Sequence, residues 1–453
     1  GPMEKTFSIF TLGCKLNQFD SELMRQSLLR ERWEYRRPGE DARVYIINSC
    51  TVTERSDARC RSAVRRTRRA APGAFIVVTG CYAETQPQAL AAMGEVDLVI
   101  GNRDKERIAA VLAGIEPSSR PVSSPGSPCV AVGRTAPGRG IESFLDHARA
   151  FVRIQDGCDA KCSYCIVPRA RGKSRSVPRG TIVDQIRLLR ENGYHEIVLT
   201  GIHIGRYGTD LDPPSSLASL IEEIVRETTG VRIRLSSLEP TEVSPHIVDL
   251  VRSGDRVARH LHIPLQSGDD RVLRSMNRPY SAGEFRSLVE GIVRDMDDVC
   301  IGTDLITGFP GETEERFANT LALVAALPLA YLHVFGFSPR PGTPASSLRE
   351  QVRADVKKRR SRDLIALGAV KKQAFQKARV GNDALVVVEA PVSRTSRFAR
   401  SLTGNYCEVL VPRESAAPGT LRRVRITRLS GTRLYGAFAE GAATPSTQTG
   451  EDA

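Results

Sequence analysis

Short apolar runs alternate with amphipathic stretches along most of this 453-residue chain. Runs over 7–12, 43–48, 75–79 and 97–102 read as strands, and stretches 20–30 and 54–70 space their apolar positions as helices do. Strands alternating with helices predict a parallel sheet. The same rhythm returns later, with strands expected over 150–155, 196–200, 232–237, 261–268, 299–306 and 331–335 and a helix over 181–191. Six such units predict a partial (β/α)6 barrel, whose active face lies where its strands end. A charged helix over 353–379 leads into a different pattern. Runs over 383–389, 406–411 and 421–426 are short and strand-like, with Gly and Pro between them, which predicts a small antiparallel β-barrel. The expected fold class is α/β, with an N-terminal parallel domain over 3–131, the partial barrel over 132–377 and the small barrel over 378–440. A Pro-, Ser- and Gly-rich stretch over 114–140 reads as a linker, and the small, polar tail over 441–453 as disordered.

Composition narrows the function. Gly1-Pro2 before Met3 reads as a protease-cleavage scar. No run of about 18 apolar residues is present, so no membrane span is expected. The start lacks a secretion leader, so a cytoplasmic protein is expected. Net charge is +13, which points to a polyanionic partner, RNA or DNA. Seven arginines crowd the 54–70 helix: Arg55, Arg59, Arg61, Arg65, Arg66, Arg68 and Arg69. One sign repeated that often repels itself without an anion nearby. A second set marks the small barrel: Arg394, Arg397, Arg400, Arg413, Arg422, Arg423, Arg425, Arg428 and Arg433. Small barrels of this kind often bind oligonucleotides.

Ten cysteines without a leader suggest thiolate ligands in a reducing compartment, not a disulfide scaffold. Cys158, Cys162 and Cys165 follow a strand in the spacing Cys-x3-Cys-x2-Cys. A 4Fe-4S cluster is saturated by four thiolates, so three leave one iron open to a ligand. Structural zinc wants four protein ligands, and no fourth Cys or His follows closely. Cys14, Cys50 and Cys81 each follow a strand of the first sheet by one or two residues. Ligands of parallel sheets gather beyond the strand ends, so these three should converge at one edge. Cys60 reads as incidental, Cys300 as packed within its strand, and Cys129 as without an evident partner.

At Gly157-Cys158-Asp159-Ala160-Lys161-Cys162-Ser163-Tyr164-Cys165 the chain resembles the radical S-adenosylmethionine superfamily. The resemblance implies a 4Fe-4S cluster on Cys158, Cys162 and Cys165, with S-adenosyl-L-methionine (SAM) on the open iron. Tyr164 fits the same pattern. It also implies a SAM pocket at the strand ends, carried over to Gly201, Ser237, Glu239 and Gln266.

Over nearly its full length the chain resembles the methylthiotransferases, which insert a methylthio group into an unreactive C–H bond. Gly13-Cys14, Asn48-Ser49-Cys50-Thr51-Val52-Thr53, Gly80-Cys81-Tyr82-Ala83 and Thr307-Gly308-Phe309-Pro310-Gly311-Glu312-Thr313 carry the likeness, with a C-terminal module resembling the TRAM domain. The resemblance implies two 4Fe-4S clusters, the auxiliary one on Cys14, Cys50 and Cys81. No single side chain is expected to act as general base or nucleophile. The stretches 11–18, 199–205 and 235–240 look most like the subgroup acting at C2 of N6-threonylcarbamoyladenosine 37 of tRNA. A tRNA anticodon stem-loop, a sulfur donor and an electron donor are the implied partners. Sister subgroups act on isopentenyladenosine 37 or on a ribosomal-protein aspartate. A non-catalytic RNA-binding protein with zinc in its cysteine sites is the reading from a different class.

Overall fold

The computed structural model describes residues 5–114, 141–145 and 147–439. The expected linker beyond Gly114, Cys129 within it and the expected tail lie outside the described residues. Packing gathers the chain into two compact units. Of the described residues, the first takes 5–114 and Ile141 together with 155–175 and 338–348. The second takes 142–145, 147–154, 176–337 and 349–439.

Five parallel strands build the first unit: β1 (Thr6–Thr11), β2 (Glu34–Tyr35), β3 (Val44–Ser49), β4 (Phe75–Gly80) and β5 (Leu98–Ile100). Their order is β2-β1-β3-β4-β5. β3 and β4 are nearly all apolar because helices cover both faces of a central parallel strand. Phe7, Ile9, Ile46 and Val77 pack with Met24 and Leu28 on one side; Ile47, Ile76 and Val78 pack with Cys60 and Val64 on the other. The helices of this unit include α1 (Lys15–Arg30), α2 (Glu54–Ala70) and α3 (Cys81–Thr85). α1 starts at Lys15, earlier than expected, because Cys14 already takes the extended capping conformation. Thr53 caps α2 by accepting from the Ser56 N–H, and Asp57, Cys60, Val64 and Thr67 form its buried stripe. The two-residue β2 is too short to show a period in sequence.

The second unit contains six parallel strands in two sheets. One holds β6 (Ala150–Arg153), Glu196–Thr200 and Arg232–Leu235; the other holds His260–His262, Cys300–Thr307 and Tyr331–Gly336. Ile233 joins the sheets by bonding Arg256 O and Ala258 N, each at 2.8 Å. Chain order and neighbour order therefore agree, as in a partial barrel. The strand expected over 261–268 shortens to His260–His262, and beyond it Gln266, in the left-handed region at φ 67°, makes an isolated parallel bridge to Leu305.

A closed five-stranded barrel completes this unit, formed by Asp383–Pro391, Phe398–Thr403, Glu408–Pro412, Leu421–Ser430 and Arg433–Phe438. Two of these strands, Phe398–Thr403 and Arg433–Phe438, escape the sequence pattern because arginines and glycine interrupt their apolar face. The barrel is not wholly antiparallel: Glu408–Pro412 and Arg433–Phe438 pair in parallel to close it. Arg232 donates to Leu385 O and Leu402 O at 2.6 and 3.0 Å, and Arg234 to Gly404 O and Thr403 O at 3.0 and 2.8 Å. Buried Glu196 bonds both guanidiniums. No helix among the described residues is long and apolar enough to cross a membrane.

Candidate active site

The first unit brings together the two cysteine trios' loops. Cys50 and Cys81 directly follow β3 and β4, while Cys14 lies three residues past Thr11, farther than the one or two expected. Leu12 and Gly13 are needed to turn the chain into α1. Gly13 sits at φ 109°, and a Cβ there would meet Cys50 Cβ at 2.7 Å and Cys50 Sγ at 3.2 Å. Gly80, at φ 96°, would likewise press a Cβ onto the Ser49 backbone. Only glycine permits these approaches, and each delivers the cysteine after it to the sheet edge.

Polar side chains lock this edge. Asn17 Nδ2 donates to Leu12 O and Ser49 O at 2.6 and 3.0 Å; Asn48 Nδ2 donates to Asn17 O and Ser21 Oγ at 2.9 and 3.0 Å. Ser49 Oγ donates to Thr79 O at 2.5 Å and accepts from Tyr82 N at 3.2 Å. Cys14 is exposed, Cys50 and Cys81 are buried. Burial pushes the Cys50 thiol up; Cys81 and Cys14 push the same way, against the Val52 amide. As thiolates the three would repel one another, a cost that a cationic metal offsets because it deprotonates its thiol ligands outright. The donor set and the glycine cradle thus fit a metal cluster.

The second trio sits in a loop folded back on itself. Cys158 N donates to Gly172 O at 3.0 Å and Cys165 N to Cys162 O at 3.1 Å. Gly157, at φ 75°, runs so close to the Lys173 carbonyl that a Cβ would overlap it. Ala160 N donates to Cys158 Sγ at 3.4 Å, the kind of contact that would tune that sulfur as a ligand. Cys158, Cys162, Tyr164 and Cys165 are half-buried. The helix Val167–Arg171 follows at once.

Sequence patterns did not reveal the residues between the trios. Asn102 Nδ2 lies 3.6 Å from Cys81 Sγ and donates to Ala170 O at 2.7 Å. Buried Arg171 donates to Asn17 Oδ1 at 2.7 Å, Asp20 Oδ2 at 3.1 Å and Asp156 Oδ1 at 3.2 Å. Burial opposes its charge, but Asp20, Cys81, Asp156 and Cys14 hold its pKa well above the ordinary value. Behind Cys50, Arg340 donates to Thr51 Oγ1 at 2.8 Å and Asp57 Oδ2 at 2.5 Å. These contacts join residues far apart in sequence, so no local signal marks them. The rank of seven arginines on α2 is also less uniform than its sequence. Arg68 turns inward to Ala74 O and Asp97, and Arg61 donates to the Tyr82 hydroxyl. Arg55, Arg59, Arg65, Arg66 and Arg69 remain exposed.

The other expected site residues lie on the second unit's strand ends. Gly201 ends Glu196–Thr200; Ser237 and Glu239 follow Arg232–Leu235, the first exposed and the second half-buried. Glu239 pairs with Arg278, which donates to the Tyr280 hydroxyl at 2.9 Å; that hydroxyl donates to Pro264 O and Leu265 O, each at 3.0 Å. Burial raises the Glu239 carboxyl despite Arg278 and His203. His203 Nε2 lies 2.8 Å from Glu242 Oε1. Gln266 N donates to Asp304 O at 2.8 Å. Two pairs at these ends are thus linked by side chains, Glu239 with Arg278 and His203 with Glu242. Cys60, Cys300 and Cys407 stay in the cores, where burial pushes the Cys60 thiol up to about 12.

Two family descriptions match the chain: the uncharacterized protein family UPF0004 over residues 6–101 and the radical SAM superfamily over 152–324. Among curated relatives, threonylcarbamoyladenosine tRNA methylthiotransferase MtaB of Aquifex aeolicus is 36% identical over 88% of this chain and 95% of its own. The protein of the same name from Bacillus subtilis is 34% identical over 93% of this chain and 94% of its own. The tRNA-2-methylthio-N(6)-dimethylallyladenosine synthase of Moorella thermoacetica is 32% identical over 96% and 99%. Among solved structures, the radical SAM methyltransferase TsrM of Kitasatospora setae, with cobalamin and a 4Fe-4S cluster bound, superposes with a TM-score of 0.54. At 16% identity over 76% of this chain and 77% of that one, it shows a shared fold.

Proposed function

The chain belongs to the radical SAM methylthiotransferase family, and from that premise we propose that it inserts a methylthio group at C2 of N6-threonylcarbamoyladenosine 37 in tRNA. Family membership brings a 4Fe-4S cluster and SAM. When bound, they supply the hydrogen-abstracting radical that an unactivated C–H bond demands. We assign that cluster to Cys158, Cys162 and Cys165, and a second cluster to Cys14, Cys50 and Cys81. Each trio leaves one iron without a protein ligand.

The chain's own residues then bind, orient and tune. Gly201 offers SAM an approach to the backbone, and Ser237, Glu239 and Gln266 offer polar groups at the strand ends. Arg278 fixes the Glu239 carboxylate. Buried Arg171 places a fixed positive charge beside Cys14 and Cys81, which lowers the cost of gathering thiolates there. The exposed arginines of the small barrel and of α2 suit phosphate contacts, which position RNA without reading its bases. Use of open-iron clusters suits a reducing compartment, the cytoplasm.

The observation that carries the substrate reading is the likeness to the two relatives named threonylcarbamoyladenosine tRNA methylthiotransferase MtaB, 36% and 34% identical over 88% and 93% of this chain. A threonylcarbamoyl group adds a carboxylate, an amide and a hydroxyl beside the target. Sites built to hydrogen-bond such groups reject analogues that lack them. An isopentenyl group would call for an apolar pocket instead. The test is anaerobic incubation with anticodon stem-loops bearing threonylcarbamoyladenosine, isopentenyladenosine or adenosine, plus SAM, sulfide and reductant. Nucleoside mass spectrometry should find product chiefly from the first. Preferential product from the second would assign the chain to the sister activity.

A further inference from the structure

Three neighbouring strands of the second unit carry a set of donors that the methylthiolation reading does not use. His262 ends His260–His262, Asp304 lies within Cys300–Thr307 and His333 within Tyr331–Gly336. Asp304 and His333 are direct partners in the strand register, and His262 pairs with Gly302, two residues before Asp304. Strand residues two apart share a face, so the three side chains rise from one side of one sheet. His262 Nε2 lies 2.9 Å from Asp304 Oδ1, and His333 Nδ1 lies 3.2 Å from the same oxygen. All three ligand atoms fall within 4.8 Å of one another.

Two readings compete. In the plain one, both imidazoles only donate hydrogen bonds to a carboxylate. In the other, the three atoms are one face of a metal's coordination shell. Bonds of about 2.0–2.1 Å at roughly right angles set neighbouring ligand atoms about 3 Å apart. The two spacings here match that edge. The outer nitrogen of His262 fits the metal reading. Its Nδ1 is 2.9 Å from the Tyr331 hydroxyl, which also lies 2.9 Å from His260 Nε2. That arrangement fixes the ring so that Nε2 faces Asp304, as outer partners of metal-binding histidines do. Gly302 makes it possible: a Cβ there would overlap the Tyr331 ring. Exposure grades outward from buried His262 through half-buried Asp304 to exposed His333, so one side stays open to further ligands.

We propose that His262, Asp304 and His333 bind a divalent first-row transition metal, using none of the six cysteines of the two trios. Two imidazoles and one carboxylate on one face, with open positions opposite, is a donor set suited to Fe(II), Mn(II) or Co(II). Neutral imidazoles with one carboxylate carry a single negative charge, so the bound dication keeps a net positive charge. Its open positions take oxygen ligands, from water or from an anion.

The test uses the cluster-loaded enzyme, treated with chelator, desalted and titrated with Mn(II) under electron paramagnetic resonance. The expected result is one saturable site per chain, with electron spin-echo modulation from two imidazole nitrogens. Asp304→Asn should abolish that site. His333→Ala should leave one imidazole coupling and weaken binding by more than about tenfold, and Tyr331→Phe should weaken it by about 10–100-fold. His333 is exposed, so its variant should keep the wild-type circular dichroism and cluster absorbance. Mn(II) binding that is absent, lacks imidazole nitrogen or ignores both Asp304→Asn and His333→Ala would overturn the proposal.

Discussion

Arg171 Nη2 donates to Asn17 Oδ1 at 2.7 Å. One residue ends the short helix after Cys165; the other sits in the first turn of the helix after Cys14. A single buried guanidinium therefore ties the segment behind one cysteine trio to the segment behind the other, and Asp20 and Asp156 balance its charge. Removing one member of a buried ion pair leaves its partner's charge uncompensated, at a cost of roughly 3–5 kcal/mol. Lys105 also pairs with Asp20 and softens the loss. Arg171→Met should therefore lower the denaturant midpoint markedly, and Arg171→Lys less so. Equilibrium unfolding in guanidinium, followed by circular dichroism, measures both.

The glycines before two cysteines should be irreplaceable. Gly13→Ala and Gly80→Ala each force a non-glycine residue to positive φ, which costs about 1–2 kcal/mol before any contact is counted. Each added methyl also strikes its neighbours, Cys50 in one case and the Ser49 backbone in the other. Iron should fall from about eight per chain toward four in either variant, if each trio holds one four-iron cluster. Gly73→Ala meets nothing within 4 Å and should keep the full content. Iron assay after anaerobic reconstitution reads the outcome.

Replacing whole trios separates the two assignments. Cys158, Cys162 and Cys165 changed together to Ala should halve the iron and abolish SAM cleavage. Cys14, Cys50 and Cys81 changed together should also halve it but leave reductive SAM cleavage intact, measured as 5′-deoxyadenosine by chromatography. Full iron in the second variant would remove the auxiliary cluster from the account.

Glu196 gives the fold an acid limit. Burial alone would raise its carboxyl, but Arg232 and Arg234 hold it at about 2, below its ordinary 4.5. A depressed carboxylate stabilises the fold above its unfolded pKa and loses that contribution as pH falls through its folded one. The loss should run from about 4.5 down to about 2. Glu196→Gln leaves two buried guanidiniums underbalanced, which costs roughly 3–5 kcal/mol. Its stability difference from wild type should shrink as pH drops across that window, read by denaturant titration at each pH.

The same arginines decide how to test the small barrel. Arg232 and Arg234 donate to carbonyls of Leu385, Leu402, Thr403 and Gly404, so deleting the barrel would strip buried charges of their acceptors. Exposed Arg394, Arg400 and Arg433 offer a gentler test. Changing all three to Ala should weaken tRNA binding at low salt. The slope of log affinity against log salt should flatten by about 0.7–0.9 for each phosphate that the variant no longer neutralises. An unchanged slope in a folded variant would take RNA binding away from this surface.

The sequence by itself determined the strand-helix rhythm, because burial imposes a period wherever an element has one covered face or two. The runs 75–79 and 196–200 are legible for that reason: their apolar residues are contiguous and bounded. It also determined the cysteine spacing at 158, 162 and 165, since those ligands share one loop. Elements too short or too interrupted for a period, such as Glu34–Tyr35 and Arg433–Phe438, stayed hidden. Tertiary structure alone decided the rest. Arg171, Asn102 and Arg340 look like any surface polar residue until distant strands bring Asp20, Cys81 and Asp57 to them. Asp304 and His333 are ordinary strand residues until register pairs them. A local pattern records what a residue's neighbours in the chain must bury. Partners chosen by topology leave no trace in that pattern.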